Sequence, residues 1–437
     1  MTSVRIHKAT RRQVLAASGV APLVASAPAL AGAAGRTTAP TTSDLSTYIG
    51  FGNKQAGGAG DNACGAWLER ELKACGFATE RQAFAVPWFE AERAELATGD
   101  ARAAVWPQPI VRTTSAEGFS APLVRVDAAG RAARSVKGAI ALVDLPHGRW
   151  SAMNWPGVKT PVDAAFAGGA AACVIVTNGP TGKVIALNTD GRKPLYDGPV
   201  ALLAPEDAAP FLAAAHAGHD ARLTVTGAGG RREAFNLVGR IDRGRGKWVV
   251  VSTPRSGWST CAGERGGGIA AWLAIARWAA QALPHHDLAF VCNSGHEYLY
   301  LGAEELLHRV APRPQDTAFW LHLGANLAAR DWHDTVGVPK PLPGTDSQRF
   351  LVVDPSLLAT ARRRFAGLAG LEAPYTTDQI TAGELANIVQ AGYAPVAGVF
   401  GVHRYHHVAG DDARCVSAEA VAQTTLAFRD LLAAAVT

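Results

Sequence analysis

Several familiar signatures are missing from this sequence, and each absence removes a class of function. No two cysteines form a CxxC pair, so a cysteine-based zinc knuckle is excluded. There is no G-x-S-x-G elbow and no phosphate loop of the P-loop kind, which leaves no sequence support for a serine nucleophile or nucleotide cleavage. His296-Glu297 does not open an H-E-x-x-H helix, because Tyr300 stands where the second histidine belongs. Beyond the N-terminus no apolar run reaches the roughly 20 continuous residues that span a bilayer. Charge of one sign is scarce too. The formal net charge is +5, and Arg5, Lys8, Arg11 and Arg12 at the extreme N-terminus supply most of it. Without that segment about +1 remains, which is no electrostatic footprint for nucleic acid.

What is present begins with an address. Thr10-Arg11-Arg12-Gln13-Val14-Leu15 reads as a twin-arginine export signal. A short apolar stretch follows, broken by Gly19, Pro22 and Pro28, and Ala29-Leu30-Ala31 offers a small-residue cleavage site. Residues 1–31 are therefore expected to be removed, leaving a periplasmic or extracellular chain with no membrane anchor. This route carries folded passengers, often with a cofactor already loaded, which leans toward a bound metal. In an oxidising compartment Cys64, Cys75, Cys173, Cys261, Cys292 and Cys415 either pair in one of 15 ways or stay as small buried apolar residues.

About 400 remaining residues exceed one comfortable core, so two domains are expected. Residues 43–76 read as a helical lead-in, with Leu68, Leu72 and Phe77 on one face. From Glu233 onward strands and helices alternate: Trp248-Val-Val-Val-Ser252, an apolar helix from Gly268 to Leu283, Asp287-Leu-Ala-Phe-Val-Cys292, then Ala318-Phe-Trp-Leu-His-Leu323. That rhythm predicts an α/β fold with a doubly wound sheet and ligands at the C-terminal strand ends. The middle has another texture. A strand at Lys137–Asp144, a small-residue helix running into a strand at Asp163–Thr177, and a strand at Pro199–Pro205 precede a short helix. This order resembles a protease-associated domain inserted over residues 105–232, with 43–104 and 233–437 forming the main domain.

The chemistry-bearing motifs fall just past the predicted strand ends: Cys261-Ala-Gly-Glu264-Arg265-Gly-Gly-Gly268, Ser294-Gly-His296-Glu297, and Tyr405-His406-His407-Val-Ala-Gly-Asp411. Their order, following Asn236-Leu-Val-Gly239, resembles the twenty-eighth family of metallopeptidases. That family includes bacterial leucyl aminopeptidases, plasma glutamate carboxypeptidase and, by fold, glutaminyl cyclase. The resemblance implies a zinc-exopeptidase-like doubly wound mixed sheet. In working members two zinc ions share a bridging Asp, each with private ligands, and a Glu acts as base on metal-bound water. Placed on this sequence, the bridging carboxylate falls on Glu264, the second-metal ligands on Glu297 and His407, and the base on His296. The first metal's private His falls within Thr253-Pro254-Arg255-Ser256 and its private Asp on Gly324, so both are lost.

No second zinc is therefore expected, and one zinc at most, on Glu264, Glu297 and His407. His296 is the candidate catalytic residue, as a base near neutral pH or as a fourth ligand that closes the site. Arg255, Arg265, Glu384 and His406 are candidates for gripping a substrate, the arginines through a carboxylate. Plainer roles stand beside these: Glu264 as a salt-bridge partner of either arginine, Glu384 as a solvated surface carboxylate, His322 as a packed strand histidine. Three functions follow. The first is an exported pseudopeptidase with a degenerate di-zinc site that binds a peptide or small amide-type ligand. The second is a single-zinc metallohydrolase, a peptidase, amidase or acyl-transfer enzyme. The third, which the lost ligands disfavour, is a standard di-zinc aminopeptidase.

Overall fold

The runs Trp248-Val-Val-Val and Asp287-Leu-Ala-Phe-Val-Cys lack polar alternation, the pattern of strands covered on both faces. In the computed structural model, which describes residues 28–333 and 338–437, they form the strands Trp248–Pro254 and Asp287–Asn293. These pair in parallel from Trp248↔Asp287 to Pro254↔Asn293. Thr317–Leu323 lies parallel on the other side of Trp248–Pro254, and Val396–Gly401 is parallel beyond it. Antiparallel strands flank this block, Asp220–Ile241 beside Asp287–Asn293 and Arg349–Val353 beside Val396–Gly401.

Successive strand residues point to opposite cores, as the period of two requires. Val249, Val251, Leu288, Phe290, Phe319 and Leu321 pack under the helices Ala59–Ala74, Gly267–Ala282 and Ala418–Val436. Val250, Ala289, Val291 and Trp320 face the other way, against Leu306 and Leu385 of the helices Leu301–Arg309 and Gly383–Gln390. The sheet is doubly wound, and its parallel strands all end on one edge.

A smaller β/α unit carries its own cores. Phe119–Val126, Ile140–Asp144, Ala172–Val176 and Val200–Leu203 run parallel in that order, between the helices Pro156–Ala167 and Ala208–Ala217. The long antiparallel pair Ala78–Thr98 and Asp220–Ile241, matched from Ala78↔Arg240 to Ala97↔Arg222 with one register shift between Ala91 and Arg93, joins both units into one sheet of 13 strands.

Two details differ from the sequence reading. The lead-in is two helices, Pro28–Gly50 and Ala59–Ala74, separated by a turn in which Gly52 and Gly57 have φ near +70°. That left-handed backbone stops a single helix from running through and carries Ala56 to the strand ends. All six cysteines are unpaired: five are buried, and burial, the leading cause, pushes up the thiols of all six. The export signal expected over residues 1–31 lies outside the described residues except for its last four, which begin Pro28–Gly50. Among the described residues no helix is long and apolar enough to cross a membrane.

Candidate functional site

The three sequence motifs meet at the C-terminal edge of the parallel strands, where the backbone is strained. Cys261, Leu299, Tyr300, Asn326 and His407 have φ between 48° and 67°, although none is glycine. Such residues persist where surrounding contacts over-determine them, and they cluster at functional sites.

Glu264 sits in a π-helical turn, Ala262–Gly266, closed by Arg265 N and Gly266 N donating to Cys261 O. Asp411 fixes this turn from the opposite loop, its two oxygens accepting from Gly263 N at 2.7 Å and Glu264 N at 3.0 Å. The Glu264 carboxylate is buried, with Arg265 Nη2 2.6 Å and His407 Nε2 3.3 Å from the same oxygen, Oε1. His407 Nδ1 lies 2.9 Å from the carbonyl of Ala186, which can only accept, so Nδ1 carries the hydrogen. Nε2 then meets a carboxylate oxygen, an arrangement that calls for a proton on Nε2 or a cation beside both. His406 stacks on His407 with ring centroids 3.9 Å apart, and its Nε2 is 3.3 Å from Ser151 Oγ.

Burial would raise the Glu264 carboxyl, but Arg265, then His407 and His406, hold it well below the usual range. Burial, reinforced by His407, drives His406 well below the ordinary histidine value. Among the described residues, several polar atoms here find no aligned hydrogen-bond partner: both Glu264 oxygens, both Arg265 Nη atoms and His406 Nδ1. Arg265 thus touches Glu264 as a charge without the in-line geometry of a hydrogen bond. Its guanidinium does form one aligned bond among the described residues, from Nε to Ser256 O at 3.2 Å.

Glu297 is held differently. Its Oε1 accepts from Ala56 N and its Oε2 from Ser256 Oγ, both at 2.7 Å. Burial dominates here and raises the carboxyl to about 7 despite those two bonds. Glu264, His406 and His407 form the group whose ligand atoms lie within 4.8 Å of one another and could hold a metal ion, and Glu297 is not in it. Arg255 is also spoken for. Its Nε lies 2.8 Å from Asp61 Oδ1, while Nη1 and Nη2 donate to Cys292 O and Phe235 O. Asp61 additionally accepts from Gly57 N and Ser294 Oγ, tying the glycine turn to the strand ends. No sequence feature singled out Asp61. Its place in the first turn of Ala59–Ala74 is where any acid is favoured by the helix dipole, which marks no site.

His296 and Glu384 belong to a second chain of contacts. His296 Nδ1 and Glu384 Oε1 are 2.9 Å apart, and Glu384 Oε2 accepts from Asn293 Nδ2 at 2.8 Å. His322 Nε2 lies 4.0 Å from the same Oε2. Trp320 can only donate, so Ser252 Oγ accepts from it at 2.8 Å, and the same oxygen lies 2.9 Å from His322 Nδ1. Glu384, far from a surface carboxylate, is fully buried. Burial opposes its ionisation, but His296 and His322 overcome this and bring it to about 2. His296 is lowered by burial first and by the Arg265 charge second.

Outside this centre a cavity of about 580 Å³ runs to His407 between the two units, lined by Trp106, Val184, Trp258, Tyr405 and Val408 among others. Trp258 is anchored by donating to Asn188 Oδ1 at 2.9 Å.

No protein-family profile and no curated protein sequence matches the chain. Solved structures do match. A peptidase M28 precursor from Shewanella amazonensis superposes with a TM-score of 0.73 at 16% identity, covering 93% of this chain and 96% of that one. A zinc aminopeptidase from Bacillus subtilis gives 0.69 at 17% identity, covering 92% and 94%. An aminopeptidase from an Aneurinibacillus strain gives 0.64 at 16% identity, covering 93% and 95%. The fold is that of the zinc aminopeptidases.

The two positions that the resemblance gives to a first ion's private ligands carry neither a histidine nor an aspartate. At Gly324, where the resemblance expects an aspartate, a Cβ would stand 2.4 Å from Val399 O, so no side chain enters without moving the sheet edge. Thr253 spends its hydroxyl on Leu323 O at 2.7 Å. The remaining donor set suits one ion by type, two imidazoles and one carboxylate. The 3.3 Å from Glu264 Oε1 to His407 Nε2 is also about the ligand–ligand edge of a tetrahedral zinc with bonds of about 2.0–2.1 Å. Against it stands the Arg265 guanidinium, 2.6 Å from that same oxygen.

Proposed function

We propose that this chain is an exported, metallopeptidase-like protein that binds a peptide or small amide-type ligand in the cleft beside His407 and does not carry out di-zinc hydrolysis. The observation that carries this reading is Gly324, where the backbone of Val399 leaves no room for a metal-binding side chain. Without the first ion, the paired-metal activation of water and carbonyl has no basis. Ser259, Tyr405, His407 and Arg414 on the cavity wall supply polar contacts, and its aromatic residues supply apolar area for a side chain. The unit around 105–232 resembles a protease-associated domain, and its Ala186 and Asn188 brace His407 and Trp258, so it acts as one wall of the cleft.

The test is a calorimetric titration of the full chain with short peptides bearing an aromatic or aliphatic residue, beside a turnover assay on the same peptides. Saturable binding without cleavage is the expected result. Cleavage proportional to added zinc, abolished by a chelator, would overturn it.

A second reading is favoured by the Glu264, His406 and His407 group itself. It is a single-zinc hydrolase in which those three residues hold the ion, and the ion when bound would supply Lewis-acid chemistry and an acidified water. His296, oriented by Glu384, would take the proton through Nε2. On this reading His406 replaces Glu297 as the third ligand.

A further inference from the structure

We infer that the guanidinium of Arg265 acts as an intramolecular cation closing the three-donor centre of Glu264, His406 and His407, so that the centre accepts a divalent metal only when that guanidinium is removed. The inference deepens the metal-free reading above and rests on it.

A buried carboxylate beside two histidines needs positive charge, because an uncompensated charge in a low-dielectric interior is costly. Arg265 provides it from the next residue in the chain, with Nη2 2.6 Å from Glu264 Oε1. The π-helical turn makes this possible. It places residues 264 and 265 side by side, and Asp411 locks Gly263 and Glu264 from behind. Arg265 Nε is pinned to Ser256 O, which keeps the head group over the carboxylate. The pair is not an optimised salt bridge, since among the described residues neither Arg265 Nη nor either Glu264 oxygen finds an aligned hydrogen-bond partner. Charge compensation is met while hydrogen-bonding capacity is not, as expected where a planar guanidinium stands in a setting shaped for a small ion with radial ligands.

The other donors remain set for metal. His407 presents Nε2 because Ala186 O holds its Nδ1, the outer contact that fixes the tautomer of metal-binding histidines. His406 keeps Nδ1 buried, with no aligned partner among the described residues. Arg265 also excludes metal by repulsion, since a divalent ion within a few ångströms of a guanidinium pays a like-charge cost that burial magnifies.

Zinc chloride is titrated calorimetrically into chelator-stripped full chain, as wild type, Arg265→Ala and Arg265→Met, with thermal melting alongside. The expected result is one zinc per chain in both variants, bound at least about 100-fold more tightly than in wild type. Adding His407→Ala to either variant should abolish that gain. Where Arg265→Ala lowers the melting temperature by stranding Glu264, zinc should restore it. Zinc binding by wild type as tight as by the variants would overturn the inference, as would no gain in either variant. The ligand-binding reading fails separately, if wild type binds no peptide whatever zinc does.

Discussion

Glu297 is a buried carboxyl with two hydrogen-bond donors, and this makes a pH experiment decisive about its role. Its value rises from an ordinary 4.5 to about 7, chiefly through burial. Between those two pH values the folded chain keeps a proton that the unfolded chain has lost. Stability therefore falls as pH rises through the window: the penalty is absent below about 4.5 and complete above about 7. The gap, at about 1.4 kcal/mol per unit, amounts to about 3 kcal/mol. Glu297→Gln is neutral throughout and keeps an acceptor for Ala56 N, so it should remove the dependence. Urea unfolding of wild type and variant in chelator, from pH 4 to pH 9, isolates this residue from other titrating groups. The variant should gain about 3 kcal/mol on wild type across the window. A constant difference would refute the reasoning, and a wild type that gains on the variant with rising pH would show Glu297 held ionised, as a metal ligand is.

Glu384 should behave in the opposite sense. His296 and its other partners outweigh burial and lower it to about 2, so its contribution is present above about 4.5 and lost as pH falls toward 2; Glu384→Gln should flatten that acid limb, by about 3 kcal/mol in urea unfolding. Asp61→Ala strands the buried Arg255 charge and should cost about 3–5 kcal/mol, read as a lower urea midpoint. Gly324→Asp should not rebuild a first metal site. Its Cβ would lie 2.4 Å from Val399 O, so the variant should melt lower and take up no additional zinc.

Most of the fold was legible because hydrophobic patterning is local. Val249 to Val251 and Leu288 to Cys292 announce doubly covered strands whatever surrounds them. The long antiparallel arm was not, because Glu90-Ala-Glu-Arg93 bury nothing that could produce an alternating signal. At the site, Glu264 and His407 lie together, as family spacing set them, but two pairs of residues had fates that spacing cannot separate. Arg255 and Arg265 are ten positions apart with the same formal charge. Asp61, on a helix nearly 200 residues upstream, engages the first, while the second is left to Glu264. Glu297 and His406 likewise exchange places in the candidate donor set. Ala56 N, delivered by the glycine turn, takes up one Glu297 oxygen, and the left-handed backbone at His407 lays its ring against His406. A ligand set is a property of which polar atoms remain unclaimed after the interior has satisfied its own demands. Here those claims come from the lead-in turn and the smaller β/α unit, the parts of the chain furthest from the motifs in sequence.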